Sequence, residues 1–185
     1  PAVSGDCASE DRLDWQAWQG HDASMTEFQI RAYTPDDAAW VGAAHARHYR
    51  EVDGFDDSFG VLVDSILRDF DAGHDPERET GWIAVDDTGA PVACIFCVKL
   101  TEQTAKLRLF LVTQAARGSG LGYRMLQTCM GFARDQGYAG MTLWTHESHA
   151  AACALYRRNG WQLVNSTPVH SFGQDLVEQE WQIRF

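Results

Sequence analysis

The chain has 185 residues, enough for one domain with a substantial core, and 45% of them are hydrophobic and 11% aromatic. Its formal net charge of -11 works against long-range attraction to nucleic acid or an anionic membrane; it keeps the protein soluble and would favour a cationic acceptor such as an amine. No apolar run reaches the roughly 18 residues of a membrane span, and the first 25 residues lack the basic-then-apolar order of a signal peptide, so a cytoplasmic protein is expected.

Residues 1–25 are polar and irregular apart from Trp15 and Trp18, and they read as an N-terminal arm of unknown role ahead of one domain over 26–185. FQIRAY alternates as a strand does. A helix then opens with Thr34 at its N-cap, Pro35 at its first position and acids in the first turn, and runs through WVGAAHARHYREVD. In the next helix Phe59, Leu62, Val63, Ile66, Leu67 and Phe70 recur at three- and four-residue spacing, with Gly73 as a stop. GWIAVDD and PVACIFCVKL, joined through Gly89, read as a hairpin, and AKLRLFLV as a third consecutive strand. Leu121, Met125, Leu126, Cys129, Phe132 and Ala133 mark one face of a helix that ends before Gly137. A strand AGMTLWT, a helix SHAAACALYRRNG and two strands near WQLVNS and LVEQEWQIRF follow. No internal repeat divides the chain.

The cysteines Cys7, Cys94, Cys97, Cys129 and Cys153 are scattered through apolar stretches and read as reduced core thiols. Cys94 and Cys97 spell CxxC, but positions i and i+3 of a strand face opposite sides and no second pair at zinc spacing follows, so no metal is expected.

Between LRLFLV and the third helix stands QAARGSGLGY, and its glycines raise the question of a phosphate site. A dinucleotide-binding GxGxxG starting at Gly118 would need glycine where Tyr123 stands, and no Gly-Lys-Ser/Thr is present for a Walker loop. What remains is R-x-x-G-x-G entering a helix, where small residues let backbone N–H groups converge on an anion and Arg117 adds a fixed charge. An empty glycine-rich turn is the plain alternative.

With ALYRRNGW further on, this order of segments resembles the GNAT superfamily of acyl-CoA-dependent N-acetyltransferases over roughly residues 26–185, whose pyrophosphate loop reads Q/R-x-x-G-x-G/A. WVGAAHARHYRE, GWIAV, MTLWTHES and HSFGQDLVEQEW look more narrowly like the acetyltransferase half of MarR-type fusion proteins. Only 25 residues precede the first expected strand, too few for a winged helix, so a DNA-binding role is not carried over. The fold implied is α+β, an α/β/α sandwich with a mixed, mostly antiparallel sheet of about seven strands and four main helices, splayed to bind acyl-CoA.

By the same resemblance, main-chain groups near Leu111 and Val112 would bond the pantetheine arm of acetyl-CoA. Arg117, Gly118, Ser119, Gly120 and Gly122 would take its pyrophosphate, with Tyr123 at the helix start. Tyr156 matches the family's general acid for the departing thiolate; the other reading is a tyrosine that closes the pocket. His149 stands where the family often carries an asparagine that touches the cofactor, and an exposed helix-start histidine is the alternative. An alkyl ammonium must lose a proton at a cost of about 4 kcal/mol at neutral pH. His45 matches a histidine of the fused subgroup and is one base candidate; an interior histidine is the other reading, and His48, Glu51, His146, Glu147 and His170 are rivals.

The expected activity is transfer of an acetyl group from acetyl-CoA, the co-substrate, to a primary amine of a small molecule, amino acid or peptide by direct attack in a ternary complex. No cysteine stands in a nucleophile context. The alternative is a non-catalytic acyl-CoA-binding module. No nucleic acid or membrane partner is expected, and a homodimer is left open.

Overall fold

The computed structural model describes residues 27–185; the arm, with Cys7, Trp15 and Trp18, lies outside the described residues. The elements follow the expected order: β1 Gln29–Ala32, α1 Ala38–Asp53, α2 Asp57–Gly73, β2 Thr80–Val85, β3 Pro91–Lys99, β4 Thr104–Val112, α3 Leu121–Asp135, β5 Gly140–His146, α4 Ala150–Arg158, β6 Gln162–Ser171 and β7 Gln174–Arg184. They build a seven-stranded sheet in the order β1-β2-β3-β4-β5-β7-β6. Every pairing is antiparallel except β4 with β5.

Two apolar layers flank the sheet. On one side Val41 and Ala44 of α1 and Val63, Leu67 and Phe70 of α2 pack on Ile83, Val85, Cys94, Phe96 and Leu111. On the other, α3 and α4 bury Met125, Leu126, Cys129 and Tyr156 against Ile95, Cys97, Met141, Leu143 and Trp181. Cys94 and Cys97 fall in opposite layers, as strand alternation requires.

The helix boundaries come from local chemistry. Asp37 accepts the Thr34 N–H at 2.9 Å and two hydrogen bonds from Arg31, at 2.8 and 2.7 Å, which ties β1 to the entry of α1 through a short 3-10 turn at Pro35–Asp37. At the other end Gly54, with φ 71°, turns the chain so that the Gly54 and Phe55 N–H groups bond the Arg50 and Tyr49 carbonyls. Asp56 caps α2 by accepting the Ser58 N–H at 2.9 Å.

Strand β4 carries the feature that shapes the molecule. Ala105 and Leu107 face the α3/α4 layer, yet Leu109 and Leu111 face the α1/α2 layer while Phe110 and Val112 take the other side. The inversion has a visible cause. Leu109 has φ 47°, and the β3 register slips between Cys94↔Leu111 and Phe96↔Arg108, so one extra residue stands in β4. Such a bulge exchanges the faces of everything beyond it and bends the strand that carries it.

On its other edge β4 pairs with β5 over three residues only, Thr104↔Gly140, Ala105↔Met141 and Lys106↔Thr142. Beyond Lys106 the two strands part, and β5 continues against β7 as far as His146↔Glu178.

Gly140 opens the short paired stretch behind this fork, where it also lies against β7. A Cβ there would lie 2.3 Å from the Ile183 carbonyl oxygen, a backbone atom that cannot give way cheaply. Gly140→Ala is expected to destabilise the protein by about 1–3 kcal/mol or more in urea unfolding. Gly131→Ala, in α3 where a Cβ meets nothing within 4 Å, is expected to add about 0.5–1 kcal/mol.

Candidate active site

The fork between β4 and β5 opens into a cleft of about 680 Å³. Its floor is β4 from Lys106 to Val112, one wall is α1 and α2, and the other is the β4–α3 loop with β5 and α4. Leu62 and Ile66, expected on the core face of α2, instead line the cleft, and Leu62 is 43% exposed. The apolar stripe of α2 is thus shared between core and cavity.

The loop that enters α3 has the geometry of an anion cradle. Gly118 and Gly120 have φ 77° and 81°, values that favour glycine, and Gly120 is the N-cap of α3. Ser119 Oγ donates to the Ala116 carbonyl at 2.7 Å and accepts the Leu121 N–H at 3.3 Å. Among the described residues, the N–H groups of Gly118, Ser119, Gly120, Gly122 and Tyr123 have no protein partner. Gly122 differs from its neighbours: it is helical, and a Cβ there would make ordinary contacts with Leu155 and Val112 at 3.7 and 3.8 Å. Its smallness answers no crowding within the protein.

Arg117 does not point free into this cradle. Its Nε donates to the Val112 carbonyl at 3.2 Å, Nη1 to Gln114 Oε1 at 3.2 Å and Nη2 to His48 Nε2 at 3.1 Å. Val112, expected to offer free main-chain groups, therefore has its carbonyl engaged. Among the described residues, the β4 edge facing β5 from Leu107 through Leu111 to Val112 has no strand partner.

Tyr156 comes from α4 into the same cleft, 4% exposed, and its hydroxyl makes no hydrogen bond among the described residues. Burial, with Tyr49 nearby, pushes its phenol well above the usual range, so it stays protonated and keeps a proton to donate. Tyr49 is raised in the same way, by burial and then Asp53.

Four histidines line the cleft, and their surroundings separate them. His45 is 2% exposed; its Nδ1–H donates to the Val41 carbonyl at 2.9 Å, which leaves Nε2 the lone-pair nitrogen. Nε2 is buried without a partner among the described residues, and burial lowers the pKa of the ring to about 4. His45 thus lines the cleft with its ring buried and its Nε2 withdrawn from solvent.

His48 receives the Arg117 guanidinium, and burial, then Arg117, lowers its pKa. His149 is not an exposed helix-start residue. Its Nε2 lies 3.1 Å from both oxygens of the nearly buried Asp53 carboxylate on α1, and its Nδ1 is 3.4 Å from Thr145 Oγ1. Burial also lowers His146. Glu51, Glu147 and His170 do not line the cleft, and His170 pairs with Asp175 at 2.7 Å in the β6–β7 hairpin.

Asp53, Tyr49, Lys106, Arg108 and Trp144 are cleft or near-cleft residues that the sequence did not single out. Tyr49 and Asp53 lie one and two turns beyond His45 on α1, and the helical spacing that marked His45 and His48 marks them equally.

A strand pair that forks, a glycine turn with open N–H groups and a buried tyrosine thus line one cleft. The chain belongs to the acetyltransferase (GNAT) family, whose model matches residues 47–161. A protein named Probable N-acetyltransferase 14, from Xenopus tropicalis, is 28% identical over 102 residues, covering 51% of this chain and 50% of that one. The chain thus spans about half the length of this relative.

Among solved structures, the yncA acetyltransferase of Salmonella typhimurium, determined with its cofactor acetyl-CoA, superposes with TM-score 0.70 at 18% identity over 85% of this chain and 93% of its own. The GNAT superfamily phosphinothricin acetyltransferase of Sinorhizobium meliloti, in complex with acetyl-CoA, gives TM-score 0.70 at 15% identity over 85% of this chain and 88% of its own. At these identities the likeness is one of fold.

The buried His45 links stability to pH. Its folded pKa of about 4 lies below the ordinary 6.5, so the unfolded chain binds the proton first and stability falls as pH drops between those values. His45→Leu is expected to flatten the loss over this window by about 3 kcal/mol, read by urea unfolding at each pH.

Proposed function

We propose that residues 26–185 form an N-acetyltransferase that moves the acetyl group of acetyl-CoA to a primary amine by direct attack in a ternary complex. The observation that carries the reading is the cradle at Gly118–Gly120, with its unpartnered N–H groups at the start of α3, set beside the open edge of β4. Two structures of the same fold hold acetyl-CoA, and one relative is named an N-acetyltransferase.

The residues fit the group. Gly118, Ser119, Gly120, Gly122 and Tyr123 would offer main-chain donors to the pyrophosphate, helped by the positive end of the α3 dipole. Arg117, tethered to His48, Gln114 and Val112, would keep its charge beside that anion. Main-chain groups at Leu111 and Val112 would bond the pantetheine arm, and His149 at the start of α4 would border it. Acetyl-CoA would supply an activated acyl group whose thiolate leaves.

Tyr156 is the general acid in this reading. Burial keeps its phenol protonated, its hydroxyl has no competing protein partner, and a positioned acid contributes about 10²- to 10⁴-fold. The amine's proton does not go to His45, whose Nε2 is sealed. The acceptor class includes small-molecule amines, amino acids and peptides. The finer likeness to the acetyltransferase half of MarR-type fusion proteins rests on WVGAAHARHYRE, GWIAV, LRLFLV, MTLWTHES and HSFGQDLVEQEW.

Thiol release from acetyl-CoA across a panel of amines tests the activity. Turnover is expected with at least one amine, and Tyr156→Phe is expected to lower kcat by about 10²-fold while acetyl-CoA affinity stays within a few-fold. Binding without turnover of any amine would favour an acyl-CoA-binding module. Full kcat in the variant would leave Tyr156 a wall of the pocket.

A further inference from the structure

The floor of the cleft holds two cations that form no ion pair among the described residues. Lys106 and Arg108 stand at i and i+2 on β4 before the bulge, so they share the face opposite Ala105 and Leu107, the one turned to the cleft below α2. Lys106 is 6% exposed, and its Nζ sits 3.2 Å above the centre of the Trp144 ring. It forms no ion pair among the described residues; Glu180 instead accepts from Thr142 Oγ1 at 3.2 Å and from Gln182 at 2.9 Å. Arg108 is half-buried and makes no hydrogen bond or ion pair among the described residues. Arg78, the other arginine drawn out of solvent among the described residues, bonds the Glu102 carbonyl and stacks on Tyr138.

Two like charges side by side in a partly dry cleft oppose folding unless something else pairs with them. Burial and then the Arg108 charge push Lys106 down to about 8, so it remains largely protonated at neutral pH. Burial also lowers Arg108, against a weak opposing field from Asp69 on α2. Glu178, which lines the same cleft, and Glu180 offset the shift of Lys106 from a distance, but among the described residues no carboxylate stands within ion-pair reach of either cation. Beside the pair lies apolar surface: Trp144 is 54% exposed and Leu62, across the cleft on α2, is 43% exposed.

We propose that the acceptor is an amine that also bears a carboxylate, an apolar amino acid, whose carboxylate is received by Arg108 and Lys106 while its side chain lies on Trp144 and Leu62. The proposal rests on the acetyltransferase reading for the reaction and on β4 for the recognition. A guanidinium takes a carboxylate in a two-bond fork, and an ammonium adds a point charge. The net acidity of the chain then repels bulk anions, while the site selects one locally.

The test compares matched pairs of acceptors: phenylalanine with phenethylamine, tryptophan with tryptamine, and methionine with 3-(methylthio)propylamine. With saturating acetyl-CoA, the wild-type protein is expected to show a kcat/KM at least about tenfold higher for the acid of one pair. Arg108→Gln is expected to lower the acid's kcat/KM at least about tenfold more than the amine's, and Lys106→Met to act in the same direction. Titration of each variant with acetyl-CoA separates this from loss of the fold. Equal or better use of the amines by the wild type, or a common fall of both members in Arg108→Gln, would overturn the proposal.

If no acceptor releases thiol, the acetyltransfer reading fails by itself. The anion site is then decided by calorimetry of N-acetyl amino acids against their amides on the CoA-saturated protein. Tighter binding of the acids that is lost in Arg108→Gln supports it, and no discrimination overturns it.

Discussion

A strand that parts from its neighbour leaves a row of N–H and C=O groups that must find partners elsewhere, because unpaired backbone withdrawn from water is costly. In this protein that row is the β4 edge from Leu107 to Val112, exposed where β5 turns away after Lys106↔Thr142. The separation of β4 and β5 makes the cleft, and the bulge at Leu109 decides what lines it. Before the bulge the cleft-facing side chains are Lys106 and Arg108; after it, Leu109 and Leu111 close the core under α1 and α2. One inserted residue thus lets a single strand present charge at one end of the cleft and apolar packing at the other.

Helix α1 is fastened to both walls of this opening. His48 takes Arg117 from the loop that leads to α3, and Asp53 takes His149 from the start of α4. Tyr49 lies between them, packed 4.4 Å from the Phe59 ring and 5.3 Å from the His149 ring. The Asp53–His149 contact is partly buried, so it positions its wall more firmly than a surface ion pair would. His45 serves a different end, since its ring fills the interior and donates to Val41, leaving one nitrogen without a partner.

Much of this was legible in the chain itself. The order of strands and helices follows from periodicity and from punctuation at Thr34, Gly73, Gly89 and Gly137, and the glycine loop announced itself by R-x-x-G-x-G. The bulge at Leu109 was not legible, because LRLFLV is apolar at nearly every position and its alternation cannot show an inserted residue. For the same reason the split role of α2 stayed hidden: Leu62 and Leu67 carry the same periodic signal, and only the departure of β5 decides which faces a cavity. The histidines gave residue type without surroundings. His45 and His149 differ in their partners, Val41 and Asp53, and the second pairing spans 96 residues of sequence. Lys106 and Arg108 read as ordinary strand charges until their partners are counted in three dimensions.

The central claim is that the open β4 edge and the Gly118–Gly120 cradle together receive acetyl-CoA. Amide hydrogen exchange measured with and without acetyl-CoA tests it most directly. Slower exchange is expected at Leu109–Val112 and at Gly118–Tyr123 on adding acetyl-CoA, with the outer strands β1 and β6 unchanged. Exchange that stays the same at both segments, or that slows only away from the cleft, would contradict it.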